Sequence, residues 1–204
     1  MIIEALHYGL HPKDLEAILQ QLQKGSVGIV PTDSVYAFCC LSNQKAAFES
    51  ICALKRIDPK DAMMSIVCKD LSQASEYFNQ WPTPTYRILN KNLPGPFTFI
   101  LESGHRAPSF LKNKRKTLGL RIPHHQVIKA IMDQLDMPLL VSSVRQSDDV
   151  SEYFTEMEEI TKTYDRQVGF IVFDEITSQV GSTIVDLTSG EPVIIRQGEN
   201  ELQT

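Results

Sequence analysis

The 204-residue chain is long enough for one large domain with a sizeable core, and its 42% hydrophobic and 22% charged residues are the balance of an ordinary soluble globular protein. A formal net charge of -5 excludes a wholly basic nucleic-acid binder, but the charge is uneven. Residues 1–147 hold 17 Lys and Arg against 12 Asp and Glu, whereas residues 148–175 hold two against nine. An anionic ligand is therefore expected within the first 147 residues, and the acidic stretch reads as a solvated helix face or flap.

In chain order, the first fourteen residues lack the basic and apolar halves of a signal peptide, and no apolar run approaches a membrane span. "HPKDLEAILQQLQKGS" predicts a helix, with Pro12 in its first turn, Gly25 at its stop and Leu15, Ile18, Leu19 and Leu22 on one face. "VGIV" is a short buried strand. "NQKAAFESICALKR" predicts a second helix capped by Asn43. "MMSIVCK" is a strand, and Asp70 opens a helix over "LSQASEYF". A turn-rich segment and a short helix to Asn92 lead to Pro94-Gly95-Pro96, a rigid entry to a strand over Phe97 to Leu101.

"TLGLRIP" is a strand closed by Pro123. "HHQVIKAIMDQLD" is a helix with Val127, Ile128, Ile131, Met132 and Leu135 inward, and "MPLLVSSV" is a strand. "TEMEEITKTYDR" is a polar helix. "VGFIVFD", "STIVDLTSG" and "PVIIRQG" are the last strands, the final two joined as a hairpin through Ser189-Gly190. This alternation gives an α/β fold: one domain over residues 1–204, built on a twisted, mostly mixed or parallel sheet flanked by helices. Ligands in such folds sit where loops diverge beyond strand ends.

The four cysteines form no C-x-x-C pair and no zinc spacing, so they read as free, buried thiols of a reducing cytoplasm. Phosphate-loop, dinucleotide and zincin motifs are absent, and the five histidines support no nucleophile–His–acid triad. Four constellations remain. "PTDSVY" follows a buried strand: its hydroxyls form a capped turn, or Thr32 or Ser34 meets a polar ligand. "LKRIDPK" brings Lys55, Arg56 and Lys60 to a helix end and a loop, a charge pattern suited to phosphates. "KNKRKTLGLRIP" carries Lys112, Lys114, Arg115 and Lys116 in a solvated loop or an RNA-backbone patch, and Arg121 inside a strand, where it needs a carboxylate from a ligand or from Asp or Glu. "VSSVRQS" and "GSTIVDLT" with "IIRQG" put Ser142, Ser143, Ser182, Thr183 and Arg196 at strand ends.

In this order the segments resemble the YrdC-like family, the threonylcarbamoyl-AMP synthases, and most of all its YciO branch. The family pattern runs P-T-[DE]-[ST]-V-Y-G, then K-x-R or K-R with a downstream Lys, P-G-P-x-T, R-x-P, a Ser-rich strand end, S-T-[IV]-[VI]-D-L and R-x-G. The matching stretches begin at Pro31, Lys55, Pro94, Arg121, Ser142, Ser182 and Arg196. The resemblance implies a YrdC/RibB-like sheet with a concave basic cavity. It implies ATP, L-threonine and bicarbonate as substrates, magnesium accompanying ATP without a protein metal site, threonylcarbamoyl-AMP and pyrophosphate as products, and tRNA modification as the purpose. A non-catalytic RNA- or tRNA-binding protein is the alternative.

By motif match, Lys55, Arg56, Lys60, Thr98, Ser143 and Arg196 would contact ATP, and Thr32, Arg121 and Ser182 would hold threonine. Lys112, Lys114, Arg115 and Lys116 would meet RNA, with no protein nucleophile required. The chain departs from the pattern at Ala37, where the family has Gly, in the "DAMMS" segment, and at Arg145, where the synthases' T-S-A-N has asparagine.

Overall fold

The computed structural model describes residues 1–7, 9–111, 116–145, 153–154, 156–174 and 178–204. Among the described residues ten strands form one sheet: β1 (Ile2–Glu4), β2 (Gly28–Val30), β3 (Ala37–Leu41), β4 (Ser65–Val67), β5 (Phe97–Glu102), β6 (Thr117–Arg121), β7 (Leu139–Ser143), β8 (Phe170–Phe173), β9 (Thr183–Asp186) and β10 (Val193–Arg196). Helices α1 (Pro12–Gln23), α2 (Lys45–Lys55), α3 (Leu71–Ala74), α4 (Thr83–Asn92), α5 (Gln126–Met132) and α6 (Met157–Tyr164) flank it. The strand order is β1-β8-β2-β3-β7-β4-β6-β5-β9-β10. Pairs β1–β8, β8–β2, β4–β6 and β5–β9 are parallel and the other five antiparallel, so the sheet is mixed, as the alternating sequence predicts.

Helix α1 forms for local reasons. Pro12 occupies the first turn, where its missing N–H costs nothing, and the His11 Nδ1 accepts from the Lys13 amide at 3.3 Å. Ile18 and Leu22 are fully buried, and Gly25 at φ 82° ends the run. Helix α5 repeats the device, the His125 Nδ1 accepting from the Val127 amide at 3.3 Å. Helix α2 differs from expectation at its start: Gln44, not Asn43, stands at the N-cap and makes no side-chain cap. Helix α3 stops at Ala74 rather than Phe78. The backbone beyond it turns to β5 instead, with the Gly104 amide donating to Tyr77 O at 2.7 Å and the Asn79 amide to Glu102 O at 3.0 Å.

Two strands do not follow from sequence periodicity. β1 is a three-residue edge, and β3 lies in the middle of the sheet between β2 and β7. All five residues of β3 are buried, so it lacks the alternation that marks a half-exposed strand, and turn residues hide its start.

Side-chain alternation gives the sheet two unequal faces. On the first, Phe38, Cys40, Ile66, Phe97, Phe99, Leu118, Leu120, Leu140 and Val185 join one continuous core with Phe48, Ile51 and Cys52 of α2 and Ile160 of α6. On the second, Val30, Ala37, Cys39, Leu41, Val67, Leu139, Val141 and Val172 lie under Ile18 and Leu22 of α1 and Val127, Ile128, Ile131 and Met132 of α5. All four cysteines are free and buried, and burial pushes the Cys40 thiol up to about 12, so it stays neutral and inert. Among the described residues no helix is long and apolar enough to cross a membrane.

Candidate functional site

Past β7 the second face changes character. The side chains that alternate with the first core here include Ser65, Gly119, Arg121, Thr98 and Ser182, beside the aliphatics Val67, Ile100 and Ile184. They adjoin one another. A Cβ on Gly119 would stand 2.3 Å from Ser65 Oγ and 3.2 Å from Thr98 Cγ2, so the absent side chain keeps this floor open. The Thr98 and Ser182 hydroxyls pair at 2.8 Å across β5 and β9.

Arg121 is the charged centre of the floor, only 6% exposed. Its partner comes from the loop between β2 and β3. Arg121 Nη2 donates to Asp33 Oδ1 at 2.8 Å and to the Ser34 hydroxyl at 3.0 Å, and Asp33 Oδ2 accepts from the His124 amide at 2.7 Å. Burial is the largest influence on Arg121 and draws its pKa below the ordinary guanidinium value, with the Asp33 carboxylate opposing. Its Nε is buried with no hydrogen-bond partner.

The sequence therefore states the need correctly, a carboxylate for Arg121, and the structure supplies it from Asp33. This residue does more than shape a turn: it positions the guanidinium. Thr32 is fully buried and completes the loop, its hydroxyl donating to Val35 O at 2.7 Å, lying 3.1 Å from the Ser34 hydroxyl and accepting from the Ser34 amide.

Beside β9, at the sheet edge, lies β10. Its pairing with β9 shifts between Ile194 and Arg196, and such an irregularity re-aims the following side chain. Val193, Ile194 and Ile195 stay about half exposed, but Arg196 turns inward. Arg196 Nη2 and Nε donate to Ser182 O at 2.7 and 3.1 Å, and Nη1 donates to the Tyr153 hydroxyl at 2.8 Å. Burial lowers the Arg196 pKa, Tyr153 opposes this, and the positive charges of Arg145 and Arg121 lower it further. Arg145 and Arg121 thus both lie within electrostatic reach of Arg196.

Lys55 closes α2 and its Nζ donates to Ser143 O at 2.8 Å, so the Ser143 segment and Lys55 do meet. Arg56 is exposed in a left-handed C-cap at φ 54°, within electrostatic reach of Tyr164, and Lys60 is exposed on the following loop. Neither is part of the Asp33–Arg121 network. Lys116 is exposed, whereas Lys112, Lys114 and Arg115 lie outside the described residues. Sequence reasoning missed Tyr153: nothing local distinguishes a tyrosine in an acidic stretch, and its role comes from an isolated antiparallel bridge to Arg145.

Comparison with known proteins identifies the family. The family model Sua5/YciO/YrdC, described as telomere recombination, matches residues 20–198.

The chain belongs to the Sua5/YciO/YrdC family.

Escherichia coli YciO is 32% identical over 202 residues, covering 95% of this chain and 96% of its own. The YciO crystal structure superposes with a TM-score of 0.91 at 29% identity, covering 98% and 97% of the two chains. A threonylcarbamoyl-AMP synthase of Vibrio vulnificus is 23% identical over 168 residues, 80% of this chain and 87% of that protein. The P. abyssi Sua5 structure complexed with L-threonine shares the fold, with a TM-score of 0.88 at 20% identity over 97% of this chain and 57% of the Sua5 chain.

Proposed function

We propose that the protein makes threonylcarbamoyl-AMP from L-threonine, bicarbonate and ATP with release of pyrophosphate, or runs a close variant of that reaction, in the service of tRNA N6-threonylcarbamoyladenosine modification. The supporting observation is the polar half-face itself: a buried, preoriented Arg121 beside the Thr98–Ser182 hydroxyl pair, with Arg196 across from it. The Vibrio synthase and the threonine-bound Sua5 fold point the same way.

The chemistry asks for alignment and charge neutralisation. Threonine's amine joins bicarbonate with loss of water, giving a carbamate. A carbamate oxygen bonds to the α-phosphorus of ATP, the α–β bridging bond breaks, and pyrophosphate leaves with the electron pair. No protein nucleophile takes part. Arg121 would pair the threonine carboxylate, with Thr32 and Ser182 nearby. Lys55, Arg56, Lys60, Thr98, Ser143 and Arg196 would hold ATP. Magnesium would accompany ATP and neutralise part of its phosphate charge.

Pyrophosphate release from ATP, with threonine and bicarbonate each omitted in turn, tests the reading. Release that requires both is expected, and release independent of threonine, or none, removes it. A second reading, RNA binding without turnover, is favoured by Arg145 standing where the synthase motif has asparagine and by the exposure of Arg56 and Lys60. It predicts RNA binding that is lost when Lys112, Lys114, Arg115 and Lys116 are replaced by alanine.

A further inference from the structure

Among the described residues Arg121 is paired with Asp33, while Arg196 bonds a carbonyl and a phenol, both neutral. Arg145 follows β7 and adds a third guanidinium. It lies over the Tyr153 ring with Cζ 5.4 Å from the centroid, and the two residues form an antiparallel bridge. The same tyrosine accepts from Arg196, so one side chain ties two arginines together. Arg145 and Arg121 each keep a buried Nε with no hydrogen-bond partner. Like charges gathered around unused donors are arranged for an oxyanion rather than for one another. An asparagine at this position would offer two neutral N–H donors, whereas the guanidinium offers five donors and a full charge.

We propose that Arg145, held in place by Tyr153, forms with Arg196 a subsite for a multiply charged phosphate or diphosphate group, and so sets the charge of the ligand the cleft selects. The inference rests on the reading of this cleft as an anion site and adds a residue that the synthase motif does not supply. Arg145 contacts the ligand, and Tyr153 is a positioning residue acting through both arginines. Tyr153→Phe keeps the ring beneath Arg145 and removes only the hydroxyl that Arg196 uses.

The test is calorimetric titration of the full chain with inorganic pyrophosphate, ATP and L-threonine separately, using wild type, Arg145→Asn, Arg145→Lys and Tyr153→Phe, each checked for an unchanged Tm. Arg145→Asn is expected to weaken pyrophosphate binding about tenfold or more, the worth of a charge-assisted hydrogen bond. Tyr153→Phe should weaken it about threefold, as for a neutral hydrogen bond. Arg145→Lys should fall between wild type and Arg145→Asn, and threonine affinity should not move.

Equal weakening of ATP identifies the nucleotide's terminal phosphates as the source, and weakening of free pyrophosphate alone identifies the released product. Either supports the subsite. Unchanged or tighter pyrophosphate binding by Arg145→Asn overturns it, as does a wild type that binds neither pyrophosphate nor ATP. Pyrophosphate affinity lost in Arg145→Asn from a wild type without threonine-dependent turnover keeps the subsite and removes the synthase reading. Turnover present with binding indifferent to Arg145 does the reverse.

Discussion

The two halves of the second sheet face obey the same alternation and reach opposite ends. Under α1 and α5 the alternating positions include Val30, Ala37, Cys39, Leu139 and Val141, and the helices seal them from water. Beyond β7 the corresponding positions include Ser65, Gly119, Arg121, Thr98 and Ser182, and a charged side chain is buried among hydroxyls. The first half stabilises the fold by burying apolar area, each large aliphatic contributing roughly 1.5–3 kcal/mol. The second carries a desolvated ion pair, whose Coulomb gain does little more than offset its desolvation. One region stabilises the fold by apolar burial and the other buries charge and hydroxyls at the expense of that stability.

This contrast can be broken from either side. The largest effect is expected at Asp33. Asp33→Ala leaves Arg121 buried without its carboxylate and the His124 amide without its acceptor, and should destabilise the protein by about 3–5 kcal/mol in denaturant melts. On the apolar half, Ile128→Ala opens a cavity under α5 and should cost about 2–5 kcal/mol while leaving the affinity of any cleft ligand unchanged. A ligand affinity that falls with Ile128→Ala would mean the halves are coupled. Gly119→Ala is smaller, roughly 1–3 kcal/mol, because its methyl overlaps Ser65 Oγ. Pairing it with Ser65→Gly should recover most of that loss, as a double-mutant cycle will read. Smallest is Thr98→Val, which removes the hydroxyl pair with Ser182 and should cost about 1 kcal/mol by thermal melting.

What the sequence discloses follows the range of the interactions involved. Helices α1 and α5 are legible because their apolar spacing, Pro12 and Gly25 act within a few residues. The β9–β10 hairpin is legible because Ser189-Gly190 marks its turn. Strand β3 is not, since its identity as a central strand depends on Ala37 pairing with Ser143, more than a hundred residues away. The site divides in the same manner. Arg121 declares itself because a charge inside an apolar strand contradicts its surroundings. Asp33 looks like an ordinary turn former until the fold sets it 2.8 Å from that guanidinium. Tyr153 is invisible because both its partners, Arg145 and Arg196, are assigned by tertiary structure alone.

The unsatisfied Nε of Arg121 has a thermodynamic meaning beyond the geometry of the cleft. A buried donor without an acceptor lowers the stability of the empty fold by about 1–3 kcal/mol. A ligand oxygen that reaches it restores the missing bond, so occupancy and folding become linked equilibria. Heat denaturation then serves as a binding assay: compounds that reach this nitrogen raise the melting temperature, and those that miss it do so only through their other contacts. Replacing Arg121 and Asp33 together with apolar residues of similar volume should yield a chain blind to that ligand and less destabilised than Asp33→Ala, since only the His124 amide is then left without its acceptor.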